Sequence, residues 1–280
     1  MLSYRHSFHA GNFADVLKHT VQTLIIEALK QKPKAFVYYD THAGAGKYSL
    51  FSKYSNKNAE YKDGIEKIWQ LQNPPQEISA YFALIKDLNP SGVLQLYPGS
   101  PLIAHMLMSK QNRLELSELH PTDHTLLDKE FNHLRSINVV QADGYKHLKS
   151  KLPPIQRRGL ILIDPPYELK DEYNDVIKNI KHAHKLFATG IYAIWYPVTS
   201  RHNIERFCNQ FKNSGIKNIL RIELNIRQDS NEYGMTGAGM IIINPPWKLA
   251  QQMQQVLPWL LKHLQQDKQA NYKIEQIVKE

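Results

Sequence analysis

Residues 35–46 read Ala-Phe-Val-Tyr-Tyr-Asp-Thr-His-Ala-Gly-Ala-Gly. The first five lean towards β structure, and Asp40, Gly44 and Gly46 close the run. A strand that empties into a glycine-rich turn, with a helix expected next, opens a nucleotide-binding α/β unit. Upstream, residues 15–29 place Val16, Leu17, Val21, Leu24, Ile25 and Leu29 at helical spacing, and Pro33 follows as helix exits often show. Downstream the strand rhythm recurs. Residues 113–116 lead to Glu118, 137–141 to Asp143, and 159–163 to Asp164. Runs at 190–196, 219–226 and 240–244 complete the set, with helical patterns at 173–187 and 204–213 between them. Strands alternating with helices predict an α/β fold whose mostly parallel sheet is covered on both faces.

One stretch breaks the rhythm. Asp40 and Glu118 stand 78 residues apart, against roughly 20 between a glycine loop and the acid of the next strand. The excess is polar and carries helical spacing at Ile65, Ile68 and Leu71, then at Tyr81, Leu84, Ile85 and Leu88. The expected organisation is therefore one Rossmann-like domain formed by residues 1–52 and 97–280, with a helical subdomain inserted at 53–96. The tail beyond about Gln265 is polar and reads as loosely held.

Composition narrows the class. The chain has 280 residues, with 35 Lys and Arg against 26 Asp and Glu, a formal net charge of +9. A basic excess of this size favours an anionic partner such as nucleic acid. The single cysteine, Cys208, excludes a disulfide framework and a multi-cysteine zinc site, and suits a reducing, cytoplasmic setting. Apolar runs fall far short of the roughly 20 residues that a membrane span needs, and the first twelve residues lack the apolar core of a secretory signal.

In an open parallel sheet, ligands bind beyond the carboxyl ends of the strands. Asp40, Glu118, Asp143 and Asp164 all end apolar runs, so the four gather at one crevice. Any one of them alone reads as a helix cap or surface ion-pair partner. Together with Gly44 and Gly46 they describe a cofactor crevice. Glu118 suits a pair of ribose hydroxyls, and Asp143 an exocyclic amine. Phosphate-loop alternatives fail on detail. A Walker A loop requires glycine at Thr41 and Ser or Thr at Tyr48, and a dinucleotide fingerprint requires glycine at Ser49.

Asp164-Pro165-Pro166-Tyr167 follows a run of aliphatic residues. Two prolines stop the strand and leave rigid carbonyls without neighbouring donors. A carboxylate beside such a carbonyl can accept both hydrogens of one exocyclic amine, and Tyr167 offers a face on which a flipped base can stack. That set raises electron density on an otherwise weakly nucleophilic amine, as methylation of adenine N6 requires. A second copy, Asn244-Pro-Pro-Trp247, also follows an apolar run. Chain order separates them. Asp164 comes one strand after Asp143, whereas Asn244 falls where a closing hairpin is expected and reads as a rigid strand exit.

The chain resembles the RlmJ family of bacterial 23S ribosomal RNA adenine-N6 methyltransferases nearly end to end. The resemblance is carried by the opening twelve residues MLSYRHSFHAGN, by Asp15-Val-Leu-Lys-His19, by Asp40 to Gly46, by Tyr97-Pro-Gly-Ser-Pro101, by Glu118-Leu-His-Pro121, by Ala142-Asp-Gly144 and by the two Pro-Pro motifs. The tail after Gln265 lies outside it. The resemblance implies a Rossmann-like fold dependent on S-adenosyl-L-methionine. It implies that Lys18, His19, His42, Ser100, Glu118, Asp143 and Gly144 line the cofactor and that Asp164 is catalytic. It also implies that Tyr4 and His6, with Pro165 and Tyr167, contact the substrate base. Its implied partner is 23S rRNA, naked or in an assembly intermediate, met by a monomer with no membrane role and no metal. Two alternatives remain: a DNA adenine-N6 methyltransferase, and a non-catalytic nucleic-acid binder linked to use of external DNA. His120 and His124 are spaced like metal ligands, but Pro121 lies between them and no third ligand follows a known pattern.

Overall fold

The computed structural model describes residues 8–51, 59–168, 171–230 and 234–280. Tyr4 and His6 lie outside them. The described strands are β1 (Val37–Asp40), β2 (Lys47–Ser49), β3 (Leu96–Pro98), β4 (Arg113–Ser117), β5 (Ile137–Val140), β6 (Gly159–Ile163), β7 (Ile191–Val198), β8 (Ile219–Asn225), β9 (Gly237–Ile243) and β10 (Asn271–Val278). The α-helices are α1 (Phe13–Lys30), α2 (Ser79–Leu88), α3 (Ser100–Leu107), α4 (Pro121–Phe131), α5 (Gly144–Lys151), α6 (Glu172–Leu186), α7 (Arg201–Lys212) and α8 (Leu249–Leu264).

Eight strands form one sheet in the order β10-β8-β9-β7-β6-β1-β4-β5. β5, β4, β1, β6 and β7 run parallel. β9 runs antiparallel to β7 and β8, and β10 antiparallel to β8. The chain winds outward from β1 in both directions, so a topological switch point lies at the carboxyl ends of β1, β4 and β6. This is the Rossmann-like α/β fold expected from the sequence.

Alternation along the strands builds two cores. Tyr38, Leu160, Leu162 and Ile242 face one layer with α1, α3, α4 and α8. Val37, Tyr39, Ile161, Ile163 and Ile241 face the other, under α5, α6 and α7. β6 is buried at all five positions, as an unbroken aliphatic run in a sheet covered on both faces should be.

Three departures from the sequence reading have physical reasons. No helix follows the glycine loop directly. Lys47–Ser49 instead pairs antiparallel with Leu96–Pro98, and the crossover helix α3 is postponed to Ser100. The run at Ile65, Ile68 and Leu71 forms short 3₁₀ turns, in keeping with a segment interrupted by Gly64 and soon followed by Pro74-Pro75. The polar tail is an edge strand, β10, whose backbone pairs along β8 while many of its side chains face solvent. Hydropathy does not report ladder hydrogen bonds, so such a strand is hidden from it.

The described part of the insert packs into the main core. Ile65, Ile68, Trp69, Tyr81 and Ile85 are buried in the same cluster as α1. Gly11, at φ 79°, explains the close approach of its backbone: an added Cβ would lie 2.9 Å from Ile65 Cγ2. Ile65 N–H donates to the Gly11 carbonyl, and Glu60 accepts from Asn12 and bonds His9.

Candidate active site

β1, β4 and β6 deliver Asp40, Glu118 and Asp164 to one edge of the sheet. Asp40 is fully buried and accepts from Tyr38 Oη at 2.7 Å and Ser100 Oγ at 2.6 Å. Burial pushes its carboxyl up to about 6, against those two hydrogen bonds. Asp40 is thus a brace between the sheet and the start of α3. Glu118 accepts from Gly44 N–H and His120 N–H, both at 2.7 Å. Its backbone anchors fix the carboxylate against the glycine loop, and burial raises its pKa. His42 sits beside them, and burial holds its imidazole down at about 4, so it is neutral at pH 7.

Asp15, one turn before Lys18 on α1, creates the second half of the site. Lys18 Nζ lies 2.9 Å from Asp15 Oδ1 and 2.5 Å from Asp164 Oδ2. Burial pulls this ammonium down, but the two carboxylates outweigh it and hold its pKa above the ordinary lysine value. Asp15 is itself fixed by Gly11 N–H and by its place in the Asn12-capped first turn. His19 is buried alongside, bonded to Tyr97 Oη at 2.7 Å.

Lys18, Asp164 and Pro166 form a wall shared by two cavities. One, of about 200 Å³, is also lined by His19, His42, Gly44, Ser100 and Glu118. The other, of about 190 Å³, is lined by Asn12, Tyr167, Trp195 and Met235. Tyr167 adopts φ 52°, a left-handed conformation rare for a bulky residue. It is held there by its hydroxyl, which donates to Trp195 O at 2.7 Å, and by the Tyr173 ring at 4.5 Å.

Six of the sequence-derived residues therefore meet in the first cavity: Lys18, His19, His42, Ser100, Glu118 and Asp164. Asp143 and Gly144 stand beside it without lining it. Asp143 Oδ1 caps α5 by accepting from Tyr145 and Lys146 N–H. Gly144 has a packing reason to be glycine, since an added Cβ would meet Thr41 O at 1.9 Å. Pro165 is buried behind the wall, and Tyr167 faces the second cavity. Sequence reasoning passed over Asp15 and Trp195. The first was legible as an acid three residues before a lysine on one helix. Trp195 carried no local signal, because only the β6–β7 pairing brings it to Tyr167.

The fit of a nucleoside cofactor rests on the donor set of the first cavity. Glu118 offers acceptors to hydroxyls, and His120 Nδ1, on a residue of the same lining, is buried with no protein partner among the described residues. Groups of that kind suit a ligand bearing hydroxyls and ring nitrogens. No cluster of three potential metal ligands is found among the described residues.

A family model described as ribosomal RNA large subunit methyltransferase D, RlmJ, matches residues 33–278. The chain belongs to the RlmJ family. Ribosomal RNA large subunit methyltransferase J of Escherichia coli K12 is 57% identical over 260 residues, 93% of each chain. The protein of the same name from Haemophilus influenzae is 50% identical over the full length of both. A crystal structure of a Legionella pneumophila protein superposes with a TM-score of 0.89 at 39% identity, over 96% of this chain and 98% of that one. The RlmJ match extends through β10, so the tail placed outside the resemblance belongs within it.

Proposed function

We propose that this RlmJ-family protein methylates the N6 amine of a specific adenine in 23S rRNA, using S-adenosyl-L-methionine. The observation that carries this reading is Asp164 on the wall between two cavities, one with hydroxyl acceptors and the other aromatic. When bound, the cofactor supplies an electrophilic methyl group. Lys18 holds Oδ2 of Asp164, which leaves Oδ1 to accept a hydrogen from the amine. In this reading the carbonyl of Pro165, in the same rigid loop, accepts the other. Two acceptors orient the nitrogen lone pair away from the loop, and Asp164 takes the proton that the methylated nitrogen releases. Tyr167 and Trp195 enclose the flipped base. Lys18 supplies the cationic side of the first cavity for a carboxylate, with the buried His19 beside it.

Asp143 and Gly144 complete the cofactor side, and Tyr4 with His6 closes over the base. Support for the latter is that His9 and Asn12 already line the second cavity. The unit 1–52 with 97–280, and an insert at 53–96, is supported by β2 and β3, which pin the two ends of the insert together. We read the enzyme as a cytoplasmic monomer acting on naked or partly assembled rRNA.

Transfer of tritium from labelled cofactor tests the reading. Naked 23S rRNA should be labelled at adenine N6, and labelling of DNA instead would overturn it. Tyr4→Ala and His6→Ala should each bind cofactor and lose turnover.

A further inference from the structure

A second polar surface lies on the face of the sheet covered by α5, α6 and α7. Lys178, Lys181 and Lys185 share one side of α6 and, with Lys149 of α5, line a groove of about 460 Å³. The acids of α6 closest to them in sequence, Glu172 and Asp175, sit in its first turn and do not line the groove. None of these four lysines has an ion-pair partner among the described residues, whereas Lys30, Lys47, Lys67 and Lys151 each do. A helix dipole favours cations in the last turn, which accounts for Lys185. It likewise favours Lys149, in the last turn of α5, but it does not account for Lys178 and Lys181, set at helical neighbour spacing where like charges repel.

The groove also leads somewhere. At Asn174 and Gln210 it meets a further concavity of about 300 Å³ lined by Tyr173, by Arg206 and by one acid, Asp171. Tyr173 stacks against Tyr167 of the catalytic loop. A basic track therefore runs from behind the base cavity down α6. From Lys178 to Lys185 it spans roughly 10 Å at 1.5 Å per residue, long enough to meet more than one phosphate of a strand.

Resting on the methyltransferase reading above, we propose that this track binds the phosphodiester backbone of the RNA flanking the target adenine. A flipped base needs its neighbours held, and phosphate contacts fix register without reading sequence. The track supplies cations and no competing carboxylate along the lysine stretch.

The test compares two triple variants of the full chain with equal charge loss. One is K178Q/K181Q/K185Q. The other, K262Q/K268Q/K279Q, removes lysines from α8 and the C-terminal segment. Binding of labelled naked 23S rRNA is measured against salt concentration, alongside methyl transfer to it. The groove variant should bind at least about tenfold more weakly, and its salt slope should flatten by about two to three. Its KM for RNA should rise while kcat, cofactor affinity and Tm hold. Equal Kd and equal slope in the two variants would overturn the track alone. Wild-type binding without methyl transfer would sink the reaction and leave the track comparison readable in Kd. Failure of wild type to bind RNA would overturn both.

Discussion

The chain contains one four-residue motif twice, and the two copies sit at opposite ends of the sheet. Asp164-Pro-Pro-Tyr167 leaves β6 at the carboxyl edge of the parallel strands. Asn244-Pro-Pro-Trp247 leaves β9, which is antiparallel, so Ile243 lies beside Tyr192 at the start of β7. There Asn244, at φ 54°, donates its amide to the carbonyls of Ala188 and Gly190. Its side chain is occupied with closing a loop. Trp247 points into solvent, 84% exposed beside Lys248, whereas Tyr167 is wedged among Tyr173, Trp195 and Phe207. Nearly the same letters become the wall between two cavities or a strand exit according to strand direction and to what faces them. The first copy has a buried cation, Lys18, and a cavity on either side of it.

The comparison breaks if the wrong copy governs chemistry. Asp164→Ala should lower methyl transfer by about 10²- to 10⁴-fold with cofactor binding retained, while Asn244→Ala stays within a few-fold of wild type. Steady-state transfer to rRNA reads both, and the reverse outcome would end the assignment. Lys18→Met tests the cation that distinguishes the first copy. It strips a buried partner from Asp15 and Asp164, so thermal unfolding should show a loss of about 3 kcal/mol, with no comparable cation to remove near Asn244.

Protonation sharpens the contrast further. The folded pKa of His42 is depressed to about 4 from 6.5. Its contribution to stability is complete above pH 6.5 and is lost as pH falls through 4, at most about 3 kcal/mol and less to the extent that the cavity is wet. Asp40 is raised to about 6, so its contribution runs the other way, present below pH 3.8 and lost as pH rises through 6. The difference between His42→Gln and wild type isolates the first effect. The variant should gain relative Tm as pH drops from 6.5 to 4, and a flat difference would refute the assignment. The smallest effects belong to the second copy. Asn244→Ala should cost about 1–2 kcal/mol in chemical denaturation for two lost hydrogen bonds and a left-handed backbone. Trp247→Ala should fall within about 0.5 kcal/mol of wild type.

Much of this was legible from residues alone. The five parallel strands announced themselves as short β-leaning runs, aliphatic throughout only in β6, and the acids at the ends of β1, β4 and β6 marked the crevice edge because strand direction carries them there. What stayed hidden depends on partners distant in sequence. β2 is three residues long and exists through Tyr97 and its neighbours. Asp143 looked like its fellow acids, yet one of its oxygens caps α5. Chain order favoured Asp164 over Asn244, but the physical ground, antiparallel β9, required the sheet.

β10 has a consequence for solubility. β8 is buried at every position, and its outer row of amides and carbonyls is satisfied by the last strand of the chain. Without residues 271–278 that row would become an open edge, a template on which a second molecule could extend the sheet. The polar segment thus works as a terminal stop: it spends backbone groups on β8 and turns Tyr272, Glu275 and Gln276 to the water, which ends lateral growth.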